Sequence, residues 1–92
     1  MIRSFKHKGL KRFYEDGDRS KLPPALIDRI EEILGLFDVA ATVRDMDLPQ
    51  FRLHLLTGNR KGQWAVTVRA NWRIVFRFDR GEAEDVDFTD YH

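Results

Sequence analysis

Five residues of this 92-residue chain stand out as able to do acid-base or phosphate chemistry: His54, Arg73, and the closing run Asp90, Tyr91 and His92. Histidines such as His54 and His92 exchange protons near neutral pH. An arginine such as Arg73 holds a phosphate through its fork of donors, and Tyr91 is suited to stacking on a base or positioning a phosphate. Cleavage of RNA by attack of a ribose 2′-OH asks for that set: a group to take the proton, cations to stabilise the charged phosphorane, and an acid for the departing 5′-oxygen. Each residue also has a structural reading. A lone histidine is commonly a hydrogen-bonded surface residue, a tyrosine at a strand end commonly packs, and terminal residues commonly fray.

The element that positions them is the stretch from Arg52 to Phe78. Trp64, Val66 and Val68 alternate with Ala65, Thr67 and Arg69, and Trp72, Ile74, Phe76 and Phe78 alternate with Arg73, Val75 and Arg77. Period two in two adjacent runs predicts a β-hairpin with one aromatic face and one carrying Arg69, Arg73 and Arg77. Keeping apolar residues opposite apolar ones pairs Val68 with Trp72, Val66 with Ile74 and Trp64 with Phe76 across a three-residue loop, Arg69 to Asn71, with Asn71 in the left-handed position. A five-residue loop, Asp79 to Ala83, then pairs Phe76 with Val86, Ile74 with Phe88 and Arg77 with Asp85. In this register Trp64 and Trp72 belong to the core. The opposite side collects Thr67, Arg69, Arg73, Arg77, Asp85, Asp87, Thr89 and Tyr91, with His54 joining if its strand keeps phase and Tyr91 falling near Asn71 and Arg73.

Before the hairpin, Ile2 to Phe5 reads as an edge strand or the lead-in to a helix. Leu10, Phe13 and Tyr14 at i, i+3 and i+4 predict a short helix from Lys8 to Asp16, ended by Gly17. Pro23 and Pro24 suit the first turn of a second helix, Pro24 to Val39, whose stripe of Leu26, Ile27, Ile30, Ile33, Leu34 and Phe37 is the main cover for the sheet. Ala40 to Pro49 reads as a loop, and Phe51 to Leu56 as a strand. Gly58 to Gly62 is a donor-rich turn. It lacks the Lys-Ser or Lys-Thr and the following helix of a nucleotide-phosphate loop, so that reading is excluded. His7 has no evident partner and is read as a surface residue.

A chain of this length forms one domain, residues 1–92, with one core, so one sheet face stays uncovered. The absence of cysteine excludes disulfides and thiolate metal sites and suits a reducing compartment, the cytoplasm. No signal peptide or membrane span is evident. The net charge of +1 conceals segregation: residues 1–21 carry seven Lys or Arg against three acids, residues 22–43 one against four, residues 44–80 eight against three, and residues 81–92 none against five. Such a chain can bind a polyanion without being basic overall, although ordinary surface charge also accounts for the N-terminal patch.

The segments Leu53-His54-Leu55-Leu56, Gly58-Asn59-Arg60-Lys61-Gly62-Gln63-Trp64, Val68-Arg69-Ala70-Asn71-Trp72-Arg73-Ile74 and Asp90-Tyr91-His92, in this order and spacing, closely resemble the HigB (host inhibition of growth) toxins of the RelE/ParE superfamily. The opening run, Ile2 to Asp18, shares the likeness, so it covers nearly the whole chain. The resemblance implies a RelE-like α+β fold: two N-terminal helices packed on one face of an antiparallel β-sheet, with the other face open. It implies an mRNA endonuclease acting in the A site of the ribosome's 30S subunit, without metal or other cofactor. It implies, as partner, a HigA-type antitoxin with a helix-turn-helix domain, operator DNA being bound only through the antitoxin complex. The family's functional positions carry over as His54, Arg73, Asp90, Tyr91 and His92. Where some relatives place a basic residue shortly after the first of these, this chain has Thr57, and Arg60 or Lys61 substitutes. Arg60, Lys61, Arg69 and Arg73 thus form the expected RNA and phosphate contacts. Two alternatives stand beside this reading: a toxin that inhibits a topoisomerase or occupies the ribosome without cutting, and a plain RNA-binding domain, against which the terminal cluster argues.

Overall fold

The computed structural model describes residues 1–91. The first helix, α1, is Lys8–Asp16 as the spacing predicts. Its N-terminus is capped by His7, whose Nδ1 accepts the Leu10 N–H at 3.1 Å, so His7 has a structural partner after all. At the other end Gly17 takes a left-handed φ of 73°, which lets its N–H reach the Phe13 carbonyl and the Asp18 N–H reach that of Arg12. The two prolines open a single 3-10 turn, Pro24–Leu26, and the second helix, α2, follows as Ile27–Val39. Ile27, Ile30, Ile33, Leu34 and Phe37 are its buried stripe.

The stripe lies against one face of a four-stranded antiparallel sheet in the order β1 (His54–Leu55), β2 (Trp64–Arg69), β3 (Trp72–Asp79) and β4 (Glu82–Asp90). Val66, Ile74, Phe76 and Phe88 supply the sheet's half of the core, and Phe37 meets Phe76 edge-on at 4.7 Å. Trp64 and Trp72 pack against this core as expected, and Trp72 stacks on Phe88 at 4.6 Å. Ile2 and Phe5 bridge in parallel to Ala83 and Val86, so the first segment extends the sheet beside β4.

The middle of the sheet keeps the expected register, with Trp64 opposite Phe76, Val66 opposite Ile74, and Ile74 opposite Phe88. Both turns are tighter than the alternation suggested. Arg69 pairs with Trp72, leaving Val68 as a bulge, and the left-handed residue of that turn is Ala70 (φ 51°), not Asn71. At the next turn Asp79 pairs with Glu82 around Arg80 and Gly81, both at positive φ, the geometry of a two-residue hairpin turn. Arg77 then pairs with Glu84 rather than Asp85, and Asp85, itself at φ 51°, forms a second bulge with Val86. The N-terminal segment holds that bulge: Ser4 Oγ accepts the Asp85 N–H and the Ser4 carbonyl accepts that of Val86.

The segment between α2 and β1 is more ordered than a loop reading implies. Thr42 and Asp45 form a reciprocal capping box over a 3-10 turn, Val43–Met46, and Met46 and Phe51 are fully buried. Phe51 enters the core under the Arg29 guanidinium, and its carbonyl accepts the Thr67 N–H. Arg52 at φ 49° breaks the extended backbone there, which shortens the expected strand to His54–Leu55 and leaves Leu55 exposed.

Ile30 is the central test of this core, being wholly buried. Ile30→Asp places a carboxylate in apolar surroundings, which costs several kcal/mol against a total stability on the order of 5–15 kcal/mol. The variant is expected to lose its cooperative thermal transition; a soluble variant with a sharp melt would contradict the assignment. A second prediction concerns pH. The Tyr14 hydroxyl donates to Asp38, and this hydrogen bond, with burial and the neighbouring carboxylate charge, pushes the phenol from 10.0 up to about 12. A raised folded pKa gives stability that is complete below pH 10 and lost as pH rises through about 12. The difference in stability between the wild type and Tyr14→Phe should therefore shrink over that interval in denaturant titrations.

Candidate functional site

The sheet face away from the helices holds the site. Cross-strand register sets two adjacent rows on it: His54, Ala65, Val75 and Asp87, then Thr67, Arg73 and Thr89. β1 and β3 are separated by one strand, so His54 and Arg73 stand roughly 10 Å apart measured across the strands. The Tyr91 N–H donates to the Asn71 carbonyl at 2.8 Å, which fixes Tyr91 beside the β2–β3 turn as the register predicted.

His54 is exposed, and its Nδ1 lies 3.0 Å from the Arg52 carbonyl oxygen. A carbonyl only accepts, so the contact is a hydrogen bond when Nδ1 carries the proton, which leaves Nε2 as the nitrogen free to take one. Arg73 turns its guanidinium back over the hairpin end, where Nη1 donates to the carbonyls of Ala70 and Trp72. Arg77 makes the expected ion pair with Asp85, at 3.8 Å, across the bulge rather than by direct register.

Ala65 and Val75 lie at the middle of this face and yet are buried. The β1–β2 connection, which holds the 3-10 turn Gly58–Arg60, comes over this face towards Arg77 and Tyr91. Asn59, Arg60 and Gln63 line a cleft with Arg77 of β3, Asp85 and Asp87 of β4, and Phe5 and Lys6 of the first segment. From there the Arg60 guanidinium reaches the Tyr91 ring, 5.6 Å from its centroid. The Tyr91 hydroxyl oxygen is buried and has no hydrogen-bond partner among the described residues. A partly exposed cation–π contact stabilises by about 0.5–1 kcal/mol, whereas a buried polar group without a partner costs about 1–3 kcal/mol.

His54, Arg60, Arg73 and Tyr91 are therefore brought to one face, with Lys61 exposed at the tip of the covering turn. Two other expected site residues stand elsewhere. The Val68 bulge puts Arg69 in register with Trp72, and it lines a cleft on the α2 side with Asp28, Arg29 and Glu32. Asp90 is likewise in register with Trp72, at the margin of the sheet. His92 lies outside the described residues. Gln63 and Asp87 were not singled out from sequence. The alternation places Asp87 on this face, but nothing local signals that the connection folds over it. No group of three or more His, Cys, Asp or Glu suited to a metal occurs among the described residues, and no helix among them is long and apolar enough to cross a membrane.

The fold is of the RelE/YoeB-like class. A chain of the YoeB–YefM complex from Staphylococcus aureus superposes with a TM-score of 0.63 at 16% identity, over 100% of this chain and 98% of that one. A YoeB/ParE toxin from Agrobacterium tumefaciens does so at 0.58 and 17%, over 100% and 99%. Within that class the chain belongs to the HigB-like family, described as RelE-like toxins of type II toxin-antitoxin systems, which it matches over residues 3–92. It is 46% identical to the Endoribonuclease HigB of Proteus vulgaris over the full length of both chains. It is 34% identical over 85 residues to Toxin HigB-1 of Vibrio cholerae serotype O1, covering 90% of each. A type II toxin has an antitoxin as partner.

Arg73 carries a structural contact as well as charge. Arg73→Ala removes the hydrogen bonds to the Ala70 and Trp72 carbonyls and is expected to lower stability by about 1 kcal/mol in urea unfolding. An unchanged midpoint would show that these bonds contribute nothing in solution.

Proposed function

We propose that this chain is an mRNA endonuclease that acts on the ribosome and inhibits translation by metal-independent acid-base chemistry. The observation that carries the reading is the convergence of His54, Arg73, Tyr91 and Arg60 on the helix-free face of a chain so similar to a named endoribonuclease. In the proposed step the ribose 2′-oxygen attacks the adjacent phosphorus, the bond to the 5′-oxygen breaks, and one proton leaves the 2′-OH while another reaches the departing oxygen. His54, Asp90 and His92 supply the proton-transfer groups. Arg73, with Arg60 and Lys61 as further cations, counters the charge on the phosphorane, and Tyr91 supports a base or the phosphate; Arg69, on the α2 side, lies apart from this step. The partner of the complex is a HigA-type antitoxin with a helix-turn-helix domain, through which operator DNA is engaged.

Expression without antitoxin should arrest growth, and Tyr91→Ala or His92→Ala should relieve the arrest while the protein keeps its wild-type melting temperature to within a few degrees. Removing a proton-transfer residue is expected to slow cleavage by about 100- to 10,000-fold. Toxin treated with EDTA and then freed of the chelator should cleave mRNA as fast as untreated toxin when added to a translating system that is then quenched and sequenced. Messages left intact by the wild-type protein would overturn the proposal, and arrest without cleavage would favour inhibition by binding alone.

A further inference from the structure

The Arg60 guanidinium lies over the Tyr91 ring, the surface that the proposed function gives to a base of the RNA. A guanidinium and a nucleobase are both flat and both stack on aromatic faces. They compete for one site. The turn that carries Arg60 is built as a separate unit. Arg60, Lys61 and Gln63 donate their N–H groups to the carbonyls of Thr57, Gly58 and Arg60, all within the turn, and the Leu56 N–H to the Gln63 carbonyl closes its neck. Gly58 at φ 67° and Gly62 at φ 87° lie on either side of Arg60, in backbone conformations that side chains disfavour. A Cβ at Gly62 would stand 3.0 Å from Arg77 Nη1, so the turn rests closely on the sheet, while Gly58 has open space around it. The hydroxyl of the same Tyr91 is buried and has no hydrogen-bond partner among the described residues.

We infer that Arg60 occupies the base-stacking surface of Tyr91 in the free toxin, so that a nucleobase enters by displacing the guanidinium and lifting the 57–63 turn. Arg60 is then a positioning residue that guards the ring. Once displaced it is a free cation beside the incoming strand. This rests on the reading of Tyr91 as a base-stacking residue, and a test with separate probes for base and phosphate distinguishes the two.

The probes are adenosine, which has a base and no charge, and ribose 5-phosphate, which has the charge and no base. Binding is followed by the ring resonances of Tyr91, made unambiguous by a Tyr14→Phe background, since the chain has two tyrosines. Arg60→Ala, in an exposed turn, is expected to bind adenosine roughly two- to five-fold more tightly than the parent, the factor set by loss of a competing cation–π contact. Ribose 5-phosphate is expected to bind the variant no more tightly. Adenosine affinity that is unchanged or weaker in Arg60→Ala, with the ring still shifting, overturns the guard and leaves the stacking role intact. Equal tightening for both probes also overturns it, because that is general unblocking rather than exchange on the ring. No ring shift with adenosine in either protein removes the stacking role of Tyr91, and the guard with it.

Discussion

The structure depends on one packing contact, the stripe of α2 on a single sheet face. Ile30, Ile33 and Phe37 meet Val66, Ile74 and Phe76, all of them fully buried. The transfer free energy of burying such side chains, about 1.5–3 kcal/mol each, is what offsets the entropy lost in ordering the strands. Because side chains alternate along a strand, committing Trp64, Val66, Ile74, Phe76 and Phe88 to that contact commits Ala65, Thr67, Arg73, Val75, Asp87 and Thr89 to the other side. A chain of this size has no second layer of helices to set there. The site is therefore made from the residues the core does not use, and the 57–63 turn crosses part of it.

The places where this logic was not legible in sequence are places where the backbone leaves the regular pleat. Helix α1 and its Gly17 stop, the α2 stripe and the central register all follow from apolar spacing and turn chemistry, because burial enforces them. The two bulges follow from neither. Ala70 and Asp85 hold positive φ without being glycine, a conformation sustained by surrounding contacts rather than by local preference. For Asp85 those contacts come from Ser4, some 80 positions away in the chain. Strict alternation placed Arg69 beside Arg73, and one extra residue at Val68 moved it to the α2 side. A register argument carries a side assignment only as far as the next bulge.

The β1–β2 connection shows the same limit from another direction. The GNRKG run was legible as a flexible turn rich in donors, and Arg60 stood out as a cation in place of the missing one at Thr57. That the turn folds back over the sheet depends on contacts with Arg77 and Tyr91, which follow it in sequence by 15 residues or more. His54 illustrates the converse. Its candidacy rested on residue type, strand phase and the family resemblance, and the structure adds what these cannot, a carbonyl acceptor from Arg52 facing Nδ1.

The arginines of the sheet divide by what they touch, and the division is physical. Arg77 is paired with Asp85, and Arg3, in the segment beside β4, with Glu84. Their charge is largely compensated where they stand. Arg73 is held by carbonyl oxygens, and Arg60 lies on an aromatic ring. Neutral acceptors and π faces orient a guanidinium without cancelling its charge, and they give it up to a phosphate more readily than a carboxylate does, because an anion makes the stronger, charge-assisted bond. The cations near Tyr91 are thus both ordered and electrostatically available. Of the acids near this face, Asp85 and Asp87 line the same cleft as Arg60 and Arg77, and Asp85 is already engaged by Arg77.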